Sequence, residues 1–485
     1  MADLVQIEKA GAFVANEGRR VADYADFRSV RITSESIDLS GGAIDKVDRT
    51  VSFGFAVRVL VRGAWGFAAF PDCDLASAEA ALNEAAAIAR ASAKLMAEPV
   101  VLAPVVVVKD EYQTPVQIDP FAKPLKEKID YLTSLDALLR QTEGINRSTT
   151  SMSFRREEKW FYSTEGSVIT QTIVHSGGGF TVGSMKSRRE MSERSYPTSG
   201  GQHKAGGYEI IEAMKLDDAC EEMAQQALAL LTAPPLPEQT TDLILSSDLL
   251  SLQIHESIGH PLELDRVFGA ERNFSGTSFA TPDKRGTLKY GSDIVTVTTD
   301  PTATGGLGTY GYDDEGVPAQ RVAMIDKGVL VNYLSSRETA ARLGLESTGA
   351  MRAESWADLP LVRMTNTNLA PGSGTLEELI ADTERGVLIQ TPASWTIDDK
   401  RENFQLGGEI AWEIVNGKRG QIYSAGVYSG NTVEFWNSCD RICGAEEWKL
   451  WGTPNCGKGQ PGQNMRTAQG TAPARFREIN VGQPA

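Results

Sequence analysis

Two histidines flank a glutamate in the segment QIHESIGHPLELD, residues 253–265. The chain has only four histidines, so the grouping of His255, Glu256 and His260 indicates a metal site rather than two separate hydrogen-bonded structural histidines. Neutral imidazole is a common zinc ligand, and a carboxylate beside it can act as a general base. The pattern therefore predicts zinc held by His255 and His260, with Glu256 activating a water for hydrolysis.

The spacing of the two histidines does not fit a regular α-helix. In the H-E-x-x-H arrangement of zinc hydrolases, the histidines are four residues apart and share one helical face. His255 and His260 are five apart, which separates them by about 140° around an ideal helix. Pro261 lacks an N–H, and its ring clashes with the carbonyl of Ser257. We therefore expect the helix to widen into a π-type turn between Ser257 and Pro261, so that both histidines reach one metal.

A catalytic zinc site usually has three protein ligands, and the residues alone leave the third one open. The candidates are nearby carboxylates, the other histidines and the cysteines: Glu263, Asp265, His175, His203, Cys439, Cys443 and Cys456. Cys456 is favoured because it lies in the Gly/Pro-rich segment WGTPNCGKGQPGQN and because thiolate is a strong zinc ligand. Cys439 and Cys443 are expected to be buried as small hydrophobic residues.

Composition excludes several classes of protein. A formal charge of -16 and a pI near 4.9 argue against nucleic-acid and anionic-membrane partners. The longest apolar run, VLAPVVVV, is too short to span a bilayer. The first residues contain no signal-peptide pattern, and five cysteines are an odd, sparse set unlike a disulfide framework. The chain is predicted to be cytoplasmic.

The pattern of elements predicts an α+β protein of two domains. The proline-rich segment LLTAPPLPEQTTD separates an N-terminal α+β domain, residues 1–232, from a β-rich C-terminal metallopeptidase domain, residues 241–485, that carries the motif helix. In the first domain, strands are predicted before an Ala-rich helix at 75–98, with a hairpin turning near Glu165–Gly166 and a helix over 210–231.

Two further patterns are rejected on their context. GLGTYG matches the G-x-G-x-x-G dinucleotide fingerprint, but a turn rather than a helix is predicted after it. A dinucleotide-binding site is therefore not expected here. The acidic run Asp313, Asp314 and Glu315 is expected to be a solvated turn rather than a cation site.

The chain resembles the TldD/PmbA family of peptide hydrolases, once described as modulators of DNA gyrase. The resemblance spans nearly the whole length and rests on RVLVRGAWGFAAF, HESIGHPLELDRV, NFSGTSFA, DDEGVPAQRVAMIDKGVL, MRAESWADLPLVRMTNTNLAPGSGTLEELI and NCGKGQPGQ. It implies one zinc ion held by His255, His260 and Cys456, with Glu256 as the base. It also implies cleavage of unfolded peptides, including leader or precursor peptides, and a dimer with itself or with a homologous subunit that lacks the motif.

Two functions of different class are consistent with these residues. The first is a zinc metallopeptidase, and the alternative is a non-catalytic, zinc-stabilised subunit that binds peptides. Glu256 favours the enzyme, because coordination does not require it. An enzyme that acts on unfolded chains should also present an exposed strand edge near the metal, where an extended peptide can form main-chain hydrogen bonds.

Overall fold

The computed structural model describes residues 2–187 and 190–482, and its N-terminal half contains one large sheet. The strands are β1 (Tyr24–Ser40), β2 (Ala43–Val61), β3 (Ala64–Phe70), β4 (Lys109–Gln113), β5 (Arg147–Ser163), β6 (Val168–Ser187), β7 (Glu190–Tyr196) and β8 (Gln202–Ala205). Their order is β3-β2-β1-β5-β6-β4, with β7 and β8 also paired to β6. The predicted hairpin around Glu165–Gly166 is confirmed as the β5–β6 connection.

Helices cover this sheet: α1 (Ala2–Val21), α2 (Leu75–Ser92), α3 (Leu125–Leu139), α4 (Glu209–Ala213) and α5 (Cys220–Leu230). The Ala-rich helix predicted from residue 75 is α2, which begins where the Asp74 side chain accepts a hydrogen bond from the Ser77 N–H at 2.8 Å. Its small residues allow close packing on β3. A Cβ at Gly66 would lie 1.9 Å from the Ala85 carbonyl oxygen, so only glycine permits this approach.

The continuous helix predicted over residues 210–231 is wrong. α4 ends at Ala213, and Lys215 adopts a left-handed φ of 47°, which an α-helix cannot contain. A short 3₁₀ turn follows before α5 begins at Cys220. The break turns the chain so that Leu216 is fully buried. The helix α1, in contrast, had no counterpart among the predicted elements.

The C-terminal half is built mainly from strands, as the sequence predicted. They are β9 (Gln239–Leu245), β10 (Val297–Thr299), β11 (Val322–Asp326), β12 (Val329–Leu330), β13 (Met351–Arg352), β14 (Leu361–Val362), β15 (Thr367–Leu369), β16 (Arg385–Ile397), β17 (Asn403–Val415), β18 (Lys418–Asn431), β19 (Cys439–Ile442), β20 (Lys449–Lys458), β21 (Gln463–Thr471) and β22 (Ala474–Val481). The main sheet has the order β18-β17-β16-β9-β22-β19, while β20 and β21 form a separate hairpin.

Short helices punctuate these strands: α6 (Ser247–Ile254), α7 (Leu264–Val267), α8 (Arg337–Ala341), α9 (Leu376–Ala381) and α10 (Thr432–Asn437). The fold is therefore mixed α/β and β-rich, which confirms the predicted α+β class. The two principal sheets use separate stretches of chain, whereas the domain limits 1–232 and 241–485 stay a prediction. Among the described helices, none combines the length and the apolarity that crossing a bilayer requires.

Buried ion pairs join the two halves. Asp313, Asp314 and Glu315 are each only 3% exposed, so the prediction of a solvated turn is wrong. They lie against the N-terminal sheet, where Lys159 Nζ approaches Asp314 at 2.5 Å and Arg58 Nη1 approaches Glu315 at 3.4 Å. Cationic side chains on the facing strands compensate Asp314 and Glu315, whereas Asp313 accepts backbone N–H groups of Glu315, Val317 and Met351, and the local sequence could not show these partners.

Replacing Arg58 tests how much this network contributes to the free energy of unfolding. It also bonds Asp26 at 2.7 Å, so Arg58→Met leaves Asp26 and Glu315 buried without their cation. We expect the free energy of unfolding to fall by about 3–5 kcal/mol in urea titrations. The matched control is Arg20→Met, which removes an exposed pair with Glu17 and should cost less than ~1 kcal/mol. Equal effects of the two substitutions would contradict a stabilising role for the network.

Candidate metal centre

The motif lies at the end of a buried helix in the C-terminal half. β9 runs parallel to β16 and leads directly into α6, with Ser246 at the N-cap position. The Ser246 hydroxyl donates to the Asp248 carboxylate at 2.5 Å, and that carboxylate lies in the first turn, where the helix dipole favours negative charge. After Ile254 the helix does not continue as α. A π-turn spans His255–Gly259, and a 3₁₀ turn spans His260–Leu262.

The π-turn brings the two histidines together. The His260 N–H donates to the carbonyl of His255, five residues earlier, instead of the fourth. The imidazole centroids consequently lie 4.9 Å apart, with their planes at 85°. The predicted widening is confirmed, and it begins at His255 rather than at Ser257.

Neighbouring side chains stabilise this distortion. Pro261 has no N–H for the carbonyl of Ser257, and the Tyr290 hydroxyl donates to that carbonyl at 2.5 Å instead. The Trp436 indole N–H also donates to the Ser257 hydroxyl at 2.9 Å. A Cβ at Gly259 would lie 2.0 Å from the Met364 sulfur, so a larger residue here would displace the buried Met364 side chain. The widened turn is thus part of the core packing.

Cys456, on β20, completes a cluster of three ligands. One ligand atom from each of His255, His260 and Cys456 lies within 4.8 Å of the others, and within residues 2–187 and 190–482 these form the group arranged to hold a metal. The Cys456 sulfur is 3.6 Å from His260 Nε2. His255 Nδ1 is buried and has no hydrogen-bond partner among the described residues. Two imidazoles and one thiolate match the ligand set of a zinc site with an open fourth position.

The electrostatics favour the ligating form of the cysteine. Burial raises the pKa of the Cys456 thiol, but the charges of His255 and His260 outweigh it and hold the pKa well below its usual range. Burial lowers the pKa of His260, whereas the Cys456 thiolate and Glu263 raise it to about 9. The neighbouring imidazoles therefore favour the thiolate, which is the form that binds zinc.

Glu263 and Asp265, which were open candidates for the third ligand, take supporting positions. Glu263 Oε2 lies 3.0 Å from His260 Nδ1, which leaves Nε2 facing the Cys456 sulfur. The buried Lys458 ammonium lies 3.3 Å from Glu263 and 2.6 Å from Asp265. Metal-bound histidines commonly donate their second N–H to a carboxylate, so the i,i+3 spacing of His260 and Glu263 was the available sequence signal.

Glu256 lies beside the cluster and forms an ion pair that the sequence did not indicate. Arg401, in the turn between β16 and β17, approaches Glu256 Oε2 through Nη1 at 2.5 Å. Burial raises the pKa of Glu256, but the charges of His260, His255 and Arg401 outweigh it and lower the pKa. Glu256 is therefore an ionised carboxylate adjacent to the ligands, as a general base requires.

The remaining candidates lie elsewhere. Cys439 and Cys443 are buried in the hydrophobic core, as predicted, and burial raises the pKa of both thiols. His175 lies on β6 and His203 on β8, where both line a separate cavity beside the N-terminal sheet. None of these four residues belongs to the cluster of His255, His260 and Cys456.

Comparison with known proteins supports the same interpretation. Residues 238–483 match the profile of the PmbA/TldA metallopeptidase C-terminal domain. Residues 25–89 match domain 1 of that family, and residues 118–231 match its central domain. A metalloprotease of Methanocaldococcus jannaschii is 31% identical over 93% of this chain and 95% of its own length. The chain belongs to the TldD/PmbA family of metallopeptidases.

More distant members of the family agree in length and fold. A zinc metalloprotease TldD homolog of Saccharolobus solfataricus is 22% identical and covers 95% of this chain and 97% of its own. The crystal structure of TldE from Thermococcus kodakarensis superposes with a TM-score of 0.71 at 17% identity, over 98% of this chain and 100% of that one. The TldD/PmbA fold therefore extends over essentially the entire chain.

The ligand set can be tested with the cysteines. Cys456→Ala removes the only sulfur in the cluster and should abolish tight zinc binding, measured as metal per protein by elemental analysis after dialysis. Cys443→Ala is the matched control, because this buried cysteine lies outside the cluster and its loss should leave the zinc stoichiometry unchanged. Stoichiometric zinc in Cys456→Ala would show that the third ligand lies elsewhere.

Proposed function

We propose that this chain is a zinc-dependent peptidase that hydrolyses peptide bonds in unfolded, precursor or leader peptides. The observation that carries the proposal is the position of Glu256. It directly follows the ligand His255 and is buried and ionised, yet it is not a member of the three-ligand cluster. A site that only stabilised the fold would not require this carboxylate.

The proposed chemistry assigns each side chain one task. His255, His260 and Cys456 would hold a zinc ion, which would supply a Lewis acid for the scissile carbonyl and for the attacking water. Glu256 accepts the proton of the attacking water and then delivers it to the leaving amine. Burial of all four side chains excludes bulk solvent and strengthens their interactions with developing charge.

Arg401 is proposed to position Glu256 and to assist the reaction. Its Nη1 binds one oxygen of Glu256, which leaves the other carboxylate oxygen available for a proton. Arg401 Nε is buried without a hydrogen-bond partner among the described residues. This free N–H is suited to a substrate carbonyl on which negative charge develops, because preorganised donors stabilise such charge strongly.

The strand that carries Cys456 supports the choice of an extended peptide as substrate. β20 pairs with β21 on one side, and no strand of the described residues pairs with its other edge. Side chains occupy part of that edge: the Gln202 amide bonds the Leu450 carbonyl and the Gly452 N–H, and Arg363 donates to the Cys456 carbonyl, so the edge is open to a peptide only in part. An unpaired edge offers main-chain donors and acceptors to a peptide irrespective of its side chains. Such recognition favours unfolded chains, since folded proteins do not present their main chain in this form.

A dimer is proposed on the evidence of an exposed strand. Residues 43–52 of β2 are all exposed, including the large apolar side chains Ile44, Val47 and Val51. Apolar groups gathered on one solvent-facing strand are typical of an interaction surface. The partner is either a second copy of this chain or a homologous subunit without the motif.

Glu256→Gln tests the catalytic proposal. The amide keeps the size of the side chain but cannot accept the proton, so we expect peptide hydrolysis to fall roughly 10²–10⁴-fold. Zinc content should be unchanged, because Glu256 is not a ligand. The rate is measured with a fluorogenic unstructured peptide, and the control is Glu434→Gln, which alters an exposed carboxylate on α10.

Two results would contradict this assignment. Loss of zinc from Glu256→Gln would place Glu256 in the coordination sphere. Wild-type rates in the variant, together with unaltered peptide binding, would support the alternative that the chain is a non-catalytic, zinc-stabilised peptide-binding subunit.

A further inference from the structure

A second cluster of chemically capable side chains lies outside the metal centre. A cavity of about 190 Å³ opens between the N-terminal sheet and the β20–β21 hairpin. Its walls include His175, His203, Arg155, Arg466 and Pro454. Both histidines without a role in the metal centre are thus in one cavity, together with two arginines.

Several nitrogen atoms around this cavity have no hydrogen-bond partner among the described residues. His175 is only 5% exposed, yet neither of its ring nitrogens makes a hydrogen bond with the described residues. His203 Nδ1 and Arg155 Nε are also buried without a hydrogen-bond partner. Buried polar groups are normally satisfied, so three unpaired imidazole nitrogens around one space, beside an Arg155 Nε whose Glu157 partner is 3.5 Å away, indicate that a ligand completes them.

Arg466 indicates most clearly which charge that ligand has. Within the described residues, its guanidinium makes neither a hydrogen bond nor an ion pair with a side chain. Arg352 is nearby, because its Nη1 donates to the Arg466 carbonyl at 2.7 Å. Burial and the charges of Arg155 and Arg352 lower the pKa of Arg466 to about 9, against the opposing effect of Glu157 and Glu354. The arginines therefore repel one another.

The carboxylates around the cavity compensate this charge only in part, since Glu157 and Glu354 act on Arg466 without forming an ion pair with it. Glu157 lies 3.5 Å from Arg155 Nε and is shared with Lys159 at 3.7 Å. Glu35 is paired with the buried Lys128 at 2.5 Å. Asp48 is solvated at the mouth, with its side chain 49% exposed.

A cation is excluded as the ligand by the same charges. Burial and the neighbouring arginines lower the pKa of His175 well below its usual value, so this imidazole is neutral. Arginine, in contrast, binds carboxylate through parallel N–H groups, and neutral imidazoles add further donors. The cavity is large enough for a carboxylate group with its first carbons.

The β20–β21 hairpin contributes residues to both the cavity and the metal centre. Pro454 precedes Cys456 by two positions in β20, and Arg466 follows Met465, which is the cross-strand partner of Cys456. Strand geometry places the Cα atoms of Arg466 and Cys456 roughly 7 Å apart. A peptide whose scissile bond lies at the metal centre therefore has the cavity within a few residues of that bond.

We propose that this cavity binds a carboxylate group of the peptide substrate through Arg466 and Arg155, with His175 and His203 as additional donors. The proposal rests on the peptide substrate of the proposed function. The carboxylate has two chemical sources, the C-terminus of the peptide and an Asp or Glu side chain. Either source would give the enzyme a preference that the unpaired strand edge alone does not provide.

The test is peptide binding without turnover. Fluorescence anisotropy is measured with the zinc-loaded Glu256→Gln protein and a labelled unstructured peptide in four forms: unmodified, C-terminally amidated, with Gln and Asn in place of Glu and Asp, and with both changes. Adding Arg466→Gln should weaken binding of the unmodified peptide about 10- to 100-fold, as expected for lost charge-assisted hydrogen bonds. It should leave the fully neutral peptide unaffected. The amidated and side-chain-neutral forms show which carboxylate is bound.

Two further variants serve as controls for this experiment. Arg321→Gln removes an exposed arginine outside the cavity and should bind every peptide normally. His175→Phe keeps the charge but fills the space, and it should reproduce the selective loss even if Arg466→Gln folds poorly. Equal affinity for charged and neutral peptides in the parent protein overturns the carboxylate site alone. Failure to bind any of the peptides overturns the peptide function as well.

Discussion

The hydrogen bond from the His260 N–H to the His255 carbonyl is the contact on which the metal centre depends. It closes a turn of five residues, so the two imidazoles meet despite a spacing that a regular helix would separate. The turn persists because Tyr290 satisfies the carbonyl that Pro261 cannot, and because Gly259 admits the Met364 side chain. Residues that are distant in sequence, Tyr290 and Met364, thus pack against the turn and determine the distance between the two imidazoles.

Buried charge then determines what the centre can do. Glu263 orients His260, and Lys458 in turn compensates Glu263, so a chain of ion pairs connects a ligand to the glycine-rich segment after Cys456. The charges of His260 and His255, followed by that of Arg401, lower the pKa of Glu256 against the effect of burial, and Arg401 pairs with this carboxylate directly. These contacts lie in a region of low exposure, where interactions between charges are stronger than in water. The fold therefore separates Glu263, the carboxylate that supports the candidate ligand His260, from Glu256, the carboxylate proposed as the base.

The parts that were predictable from sequence are those governed by local rules. Pro261 and the five-residue spacing predicted the widened turn, and the Ala-rich period predicted α2. Long-range pairing was not predictable in this way. Asp314 was assigned to solvent because nothing near it in sequence reveals Lys159 on a facing strand. Arg401 and Arg466 gave no local signal either, since their roles arise only when distant strands bring them to Glu256 and His175.

The central claim is that two imidazoles and one thiolate bind a single zinc ion. X-ray absorption at the zinc edge measures this set directly in the purified, zinc-replete protein. The account predicts one sulfur at about 2.3 Å and nitrogen or oxygen neighbours at about 2.0–2.1 Å, with the sulfur shell absent from Cys456→Ala. A first shell without sulfur in the wild-type protein, or one that still contains sulfur in Cys456→Ala, would contradict it.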